Sequence, residues 1–136
     1  MKRQYFIDAW YFIALFDTSD SHHSRALALD RTIARMPVAT HDGVLTEFLA
    51  FFAEDGPMVR QRVVKGVRDL LANKRFTIAR MSDLFSDALT LYERRPDKGF
   101  SLTDCASMIL MRRLSIDHVL TNDHHFRQEG FTIVNE

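Results

Sequence analysis

The sequence is poor in cysteine, glycine and proline. Its 136 residues include one cysteine, Cys105, which excludes an internal disulfide framework and zinc sites built from several thiolates. A single thiol also fits a reducing cytoplasm. With only five glycines and three prolines, and without repeats or low-complexity tracts, the chain offers no linker. Domains typically contain ~100–200 residues, so we predict one domain over residues 1–136.

Long apolar runs and an excess of one charge are also lacking. The 18 basic and 18 acidic residues cancel, which excludes binding to nucleic acid through bulk attraction to phosphate. No apolar run approaches the ~18–20 residues needed to span a bilayer. Asp8 interrupts the apolar run near the N-terminus, which disfavours a signal peptide. We therefore expect a cytoplasmic protein with no membrane partner, and any nucleic-acid chemistry must come from a local site.

Short β-branched and aromatic runs alternate with helical patterns along the chain. Five runs predict strands: residues 4–7, 38–40, 76–79, 118–121 and 131–134. Six stretches predict helices: residues 10–16, 21–35, 44–52, 57–73, 82–94 and 103–113. Such alternation is typical of an α/β fold with a mainly parallel five-stranded sheet. In these sheets, ligands bind beyond the carboxyl ends of the strands.

Two carboxylates follow predicted strands and belong at the same edge of a parallel sheet. Asp8 comes directly after the first strand, and Asp123 comes just after the fourth. Each also precedes a helical pattern, so helix capping is the alternative interpretation of either residue alone. Two such acids at one sheet edge weaken that alternative.

Two further acids lie on predicted helices. Glu47 is at the margin of the apolar face of the helix at 44–52. Its carboxylate either extends into solvent or lines a cleft against the sheet. Asp104 opens the helix at 103–113, three residues after Ser101, which is the spacing of a capping box. Capping alone would explain Asp104, but it would not explain a convergence of all four acids.

Several carboxylates at one sheet edge repel one another, which raises their pKa values. A hard divalent cation removes this repulsion, and Mg²⁺ and Mn²⁺ both prefer carboxylate and water oxygens. Such a cation activates a water molecule and stabilises charge on a phosphoryl group. If the four acids meet, the chemistry that they indicate is metal-dependent hydrolysis of a phosphodiester.

Four segments of the sequence resemble a known family. They are YFIDAWYFIALF (5–16), VLTEFLAFF (44–52), DKGFSLTDCASMILMRR (97–113) and HVLTNDHHFRQEGF (118–131). Together they look like the PIN-domain nucleases, and among these most like the VapC-type toxins of bacterial toxin–antitoxin pairs. The resemblance covers nearly the whole chain. Its most specific parts are Thr-Asp-Cys at the start of a helix and Thr-Asn-Asp followed by a phenylalanine.

The resemblance implies a fold and a set of site residues. The fold is a three-layer PIN-like α/β structure, a twisted, mainly parallel sheet with strand order 3-2-1-4-5 flanked by helices. Asp8 and Asp104 match the direct metal ligands of the family, whereas Glu47 and Asp123 would act partly through water. The four catalytic acids are therefore Asp8, Glu47, Asp104 and Asp123. Polar neighbours that would orient the site are Thr103, Thr121 and Asn122.

The implied activity is that of an endoribonuclease that hydrolyses single-stranded or loop RNA with Mg²⁺ or Mn²⁺. Water would be the nucleophile, and a 3′-hydroxyl would be left. The implied partners are RNA, a small antitoxin protein and a second copy of the chain in a homodimer. Two alternatives stay open: a PIN nuclease of RNA processing without a toxin role, and a PIN-fold interaction module that has lost its metal. The presence of all four acids disfavours the second.

Two pairs of adjacent histidines, His22-His23 and His124-His125, suggest a zinc site. Neither pair has the i, i+4 spacing that places two imidazoles on one helix face, and no thiolate cluster accompanies them. We therefore do not predict zinc. Because His124 and His125 directly follow Asp123, a contact between these imidazoles and an RNA phosphate is an open interpretation.

Overall fold

The computed structural model describes residues 3–134. In this part of the chain, strands and helices alternate as the sequence pattern predicts. The strands are β1 (Tyr5–Ile7), β2 (Val38–His41), β3 (Phe76–Ala79), β4 (His118–Leu120) and β5 (Thr132–Ile133). The helices are α1 (Ala9–Phe16), α2 (His23–Ile33), α3 (Asp42–Phe51), α4 (Pro57–Ala72), α5 (Phe85–Arg94), α6 (Leu102–Arg113) and α7 (His125–Gln128), with a 3-10 turn at Met81–Asp83.

The five strands form one sheet in the order β3-β2-β1-β4-β5, and every pairing is parallel. The central strand β1 pairs with β2 and β4, so that Phe6 lies beside Ala39 and Val119. All three residues are fully buried, as expected for inner strands of a parallel sheet. The predicted α/β fold and its strand order are confirmed. The carboxyl ends of β1, β2 and β4 consequently lie side by side.

An aromatic cluster fixes α3 against α1. The ring of Phe48 on α3 lies 5.8 Å from Phe12 and 5.1 Å from Phe16, measured between centroids. It also packs edge-on against Phe52 at 5.6 Å. Full burial of an aromatic side chain such as Phe48 stabilises the fold by about 1.5–3 kcal/mol. Because Phe48 is anchored in the core, its neighbour Glu47 is held at the margin of the same helix.

A buried carboxylate ties the end of α6 to the segment between α5 and that helix. The side chain of Glu129, just after α7, is only 6% exposed and forms ion pairs with Arg95 and Arg112. Arg95 directly follows α5, and Arg112 lies in the last turn of α6. The Nη2 atom of Arg112 is 2.6 Å from the Oε2 atom of Glu129. This network fixes the part of the chain that leads into and out of the acid-bearing helix α6.

Two elements differ from their predicted form. The helix predicted at 82–94 begins as the 3-10 turn Met81–Asp83, and α5 starts only at Phe85. The short helix α7 was not predicted, because four residues are too few to show a helical period. Among the described residues, no helix combines the length and apolarity needed to cross a membrane.

Candidate active site

Asp8 occupies the carboxyl end of the central strand and is the most buried of the four acids. It is 9% exposed, and its N–H donates to the carbonyl of Leu120 at the end of β4. Asp8 is also the N-cap residue of α1, but its side chain accepts no capping hydrogen bond. Helix capping, the alternative from the sequence, therefore does not explain why a carboxylate is buried here.

Thr121 connects Asp8 with Asp123. The fully buried hydroxyl of Thr121 donates to the Oδ2 atom of Asp8 at 2.7 Å. The hydroxyl oxygen of Thr121 also accepts the N–H of Asp123 at 3.1 Å. The chain thus turns after β4, and the hydroxyl of Thr121 holds both Asp8 and the backbone of Asp123, two residues further on. Asn122, between Thr121 and Asp123, has an exposed side chain, and its orienting role remains a prediction.

Asp104 lies in the first turn of α6 and forms the predicted capping box. Its Oδ2 atom accepts the N–H of Ser101 at 3.1 Å, and its own N–H donates to the Ser101 hydroxyl at 3.0 Å. The first of these bonds uses one carboxylate oxygen only, so capping leaves Asp104 able to bind a cation.

The residue after Asp104, Cys105, is fully buried. Its burial, followed by the charge of Asp104, raises the pKa of its thiol to about 11.

Glu47 reaches the site from α3. Its side chain is exposed at the helix margin and is hydrogen-bonded by the side chain of Thr103, which lies in the first turn of α6 beside Asp104. Partial burial, followed by the charge of Asp104, raises the pKa of Glu47 above its ordinary value. Glu47 is therefore exposed but electrostatically coupled to Asp104, which favours the cleft over free extension into solvent.

The four acids are coupled electrostatically. Burial, together with the charges of Asp104 and Glu47, raises the pKa of Asp8 to about 7, although the Thr121 hydrogen bond opposes this rise. The pKa of Asp104 is also raised, first by burial and further by the charge of Asp123. Carboxylates from four separate parts of the chain therefore interact at one sheet edge, which is the arrangement that a cation would relieve.

A histidine joins this group. Asp104, Asp123 and His125 each offer one ligand atom, and these three atoms all lie within 4.8 Å of one another. The Nδ1 atom of His125 is buried without a hydrogen-bond partner and lies 2.8 Å from Oδ1 of Asp123. Asp8 and Glu47 lie outside this trio among the described residues. Two carboxylates and one buried imidazole at these distances form a donor set that fits a divalent metal ion.

Neither the i, i+4 rule nor a thiolate cluster supported zinc at His124-His125, so His125 was not predicted as a metal ligand. The spacing rule fails here because the other ligands come from a different helix and a loop, and not from one helix face. The usable signal was the place of His125 two residues after Asp123. His125 is held in place by Phe100, whose ring centroid lies 5.5 Å away, and by the exposed ring of His124 at 4.5 Å.

A model of the PIN domain family matches residues 5–131, a range that includes all four acids. The chain belongs to the PIN-domain family. The family predicted from the four sequence segments is thereby confirmed. No curated protein sequence matches this PIN domain.

Three solved structures share its fold over nearly the full chain. VapC20 from Mycobacterium tuberculosis, a toxin that cleaves the sarcin–ricin loop, has a TM-score of 0.83 at 23% identity, covering 97% of this chain and 99% of that one. FitAcB from Neisseria gonorrhoeae has a TM-score of 0.67 at 13% identity, with 96% of each chain covered. VapBC2 from Rickettsia felis, bound to a DNA fragment from its promoter, has a TM-score of 0.64 at 12% identity, with 98% of each chain covered. At such identities, the likeness establishes the fold.

Proposed function

We propose that this PIN domain is a metal-dependent endoribonuclease and acts as the toxin of a toxin–antitoxin pair in the cytoplasm. The observation that carries the proposal is the burial of Asp8 at the end of β1, which raises its pKa to about 7 with smaller contributions from the charges of Asp104 and Glu47. A buried carboxylate beside two others destabilises the folded chain unless a bound cation compensates for the charge. Such a cluster is costly as structure alone, and it is suited to phosphodiester hydrolysis.

Asp8, Asp104, Asp123 and His125 would hold the cation, Mg²⁺ or Mn²⁺, and Glu47 would act through water. When bound, the metal supplies a polarised water molecule and stabilises charge on the phosphoryl group. The protein residues have separate tasks. Thr121 orients the carboxylate of Asp8, and Thr103 holds that of Glu47. These hydrogen bonds fix the acids before RNA arrives, so that little reorganisation is needed during the reaction.

The proposed substrate is single-stranded or loop RNA. Support comes from the PIN family, and the sarcin–ricin loop that VapC20 cleaves is the first defined RNA to test. The proposed protein partners are a small antitoxin and a second copy of the chain, and both rest on the resemblance to VapC-type toxins. A short reading frame directly upstream that encodes an antitoxin-like protein would favour the toxin role over a nuclease of RNA processing.

The decisive experiment is to incubate the purified protein with cellular RNA in Mg²⁺ or Mn²⁺ and to map the new ends. We expect cuts at a small number of sites with 3′-hydroxyl ends, and complete loss of these cuts in Asp104→Asn. Asp97→Asn is the matched control, because Asp97 is an exposed acid seven residues earlier and outside the cluster. Full cleavage by Asp104→Asn, or equal losses in both variants, would contradict the proposal.

A further inference from the structure

His41 is a buried histidine that neither the metal site nor the proposed chemistry uses. It ends strand β2, serves as the N-cap residue of α3 and is fully buried. Its Nδ1 atom accepts the N–H of Gly43 at 3.1 Å, which satisfies one free donor at the start of α3. Its other ring nitrogen, Nε2, lies 2.9 Å from the hydroxyl of Ser107 on α6.

The directions of these hydrogen bonds follow from the first one. Because Nδ1 accepts a backbone N–H, the proton of the neutral ring is on Nε2, and this N–H donates to Ser107. The Ser107 hydroxyl donates in turn to the carbonyl of Thr103, one turn earlier in α6, at 3.0 Å. Burial favours the neutral ring that this chain of bonds requires, since it lowers the pKa of His41 to about 4.

A glycine allows the imidazole to lie this close to the start of α3. A Cβ atom at position 43 would lie 2.9 Å from the ring of His41 and 2.5 Å from the sulfur of Met81. Both distances are below van der Waals contact, so a side chain at Gly43 would displace the ring. Ser, Thr, Asn and Asp are the usual N-cap residues, but their shorter side chains would not extend from β2 to Ser107.

The hydrogen-bond chain therefore links the starts of the two helices that carry acids. Helix α3 carries Glu47, and the first turn of α6 carries Thr103 and Asp104. Thr103 takes part twice: its carbonyl receives the hydrogen bond from Ser107, and its side chain bonds to Glu47. His41 is thus placed to fix the distance between these two carboxylates, although it lies 66 residues from Ser107 in sequence.

We propose that His41, acting through Ser107, is a positioning residue that holds Glu47 and Asp104 at the spacing needed to bind the metal. The inference rests on the proposed function, because it concerns the same acidic site. His41 touches neither RNA nor metal in this scheme. Its effect is expected in the affinity for the ion and in the rate of cleavage, with a smaller effect on the binding of RNA.

The test is a double-mutant cycle on the binding of Mn²⁺, measured by titration calorimetry on the full chain. His41→Asn keeps a good N-cap residue but removes the link to α6, whereas Ser107→Ala removes the same link from the other side. We expect each variant to bind Mn²⁺ about tenfold more weakly, as is typical when groups that support metal ligands are removed. The double variant should show about the same tenfold loss and not a hundredfold one, because both substitutions break one interaction.

Two further measurements separate positioning from a general loss of stability. Ile33→Val alters a fully buried residue at the end of α2, near the start of β2 and away from the acids. It should lower the melting temperature without weakening Mn²⁺ binding. In the NMR spectrum of the unmodified protein, the Nε2–H proton of His41 should be protected from exchange with water, and Ser107→Ala should lose this protection. This second readout remains decisive if His41→Asn does not fold.

The outcomes distinguish this inference from the proposed function. Normal Mn²⁺ binding by a folded His41→Asn or Ser107→Ala protein, or a ring with its proton on Nδ1, would overturn the positioning role and leave the nuclease proposal intact. Additive losses in the double variant would overturn it as well. A failure of the unmodified protein to bind Mn²⁺ would overturn both.

Discussion

The hydroxyl of Thr121 donates a 2.7 Å hydrogen bond to Asp8, a residue 113 positions earlier in the chain. After burial, this bond is the strongest influence on the pKa of Asp8, and it acts in the opposite direction. The same hydroxyl oxygen accepts the N–H of Asp123. A single buried side chain thus both stabilises the ionised form of one acid and sets the position of another.

Thr121→Val should therefore weaken metal binding in a pH-dependent way. Valine has nearly the shape of threonine but cannot donate a hydrogen bond, so the pKa of Asp8 should rise above about 7. We expect Mn²⁺ affinity to fall about tenfold at pH 7, with a smaller deficit at pH 8.5, where Asp8 ionises more fully. Thr40→Val is the control, because Thr40 is equally buried but donates to the carbonyl of Ile7. Calorimetric titrations of both variants with Mn²⁺ at pH 7 and pH 8.5 test this expectation. Equal losses of affinity in the two variants would contradict it.

Asp8→Asn should raise the melting temperature of the metal-free protein above pH 7. The pKa of Asp8 rises from 3.8 to about 7 on folding, first through burial and then through the charges of Asp104 and Glu47. Between pH 3.8 and about 7, the folded state therefore holds a proton that the unfolded chain has released. The free energy of unfolding falls as the pH rises through this range. Asparagine has no such ionisation, and each pKa unit corresponds to about 1.4 kcal/mol.

The same variant should respond little to metal. Excess Mg²⁺ should raise the melting temperature of the unmodified protein, because a ligand that binds only the folded state stabilises it. Asp8→Asn should gain clearly less. Melts of both proteins at pH 8, with EDTA and with Mg²⁺, provide the comparison. Equal Mg²⁺ shifts in the two proteins would remove Asp8 from the metal site.

His125→Ala should change the preference of the site among metals. Mg²⁺ favours oxygen ligands, whereas an imidazole nitrogen adds affinity for transition ions such as Mn²⁺. We expect the affinity for Mn²⁺ to fall about tenfold and the affinity for Mg²⁺ to change little. His124→Ala is the control, since His124 contacts the ring of His125 but lies outside the Asp104–Asp123–His125 trio. A matched loss for both ions would show that His125 acts by packing alone.

Glu129→Gln should destabilise the fold in a way that disappears in acid. Although burial alone would raise the pKa of Glu129, its bonds to Arg95 and Arg112 hold that pKa below the ordinary value. The stabilisation that these two ion pairs provide is therefore fully present above the ordinary glutamate pKa. It is lost as the pH falls from there through the lowered pKa of folded Glu129. Removing one partner of a buried ion pair costs about 3–5 kcal/mol, and partial exposure of the two arginines places the expected loss at the lower end.

Urea unfolding at pH 7 and pH 4 measures this loss. The difference in the free energy of unfolding between Glu129→Gln and the unmodified protein should be smaller at pH 4 than at pH 7. Asp69→Asn is the comparison, because Asp69 pairs with Lys65 on the exposed face of α4 and such pairs contribute less than about 1 kcal/mol. A pH-independent deficit in Glu129→Gln would point to packing and not to charge.

Most of the fold could be predicted from the sequence, because its signals are local. The buried runs of β1 and β2 and the capping box of Ser101 and Asp104 each depend on residues close together in the chain. Strand order came from the resemblance, since periodicity does not specify which strands pair. The short helix α7 and the 3-10 turn before α5 escaped prediction, because neither is long enough to show a period.

The site was predictable only in part, because its contacts join residues that are far apart in the chain. Acids at strand ends can be read from local patterns, whereas their mutual contacts depend on distant parts of the chain. The bond between Thr121 and Asp8 and the bond between His41 and Ser107 join residues from different elements. His125 also became a candidate ligand only when folding brought Asp104 close to it.

The single thiol of Cys105 provides a reporter at the start of the acid-bearing helix. It is fully buried directly after Asp104, and its raised pKa of about 11 keeps it in the unreactive protonated form. A thiol reagent can modify it only when the surrounding structure opens, so the labelling rate of the unmodified chain reads the frequency of that opening. No engineered label is needed, because there is no second cysteine to obscure the signal.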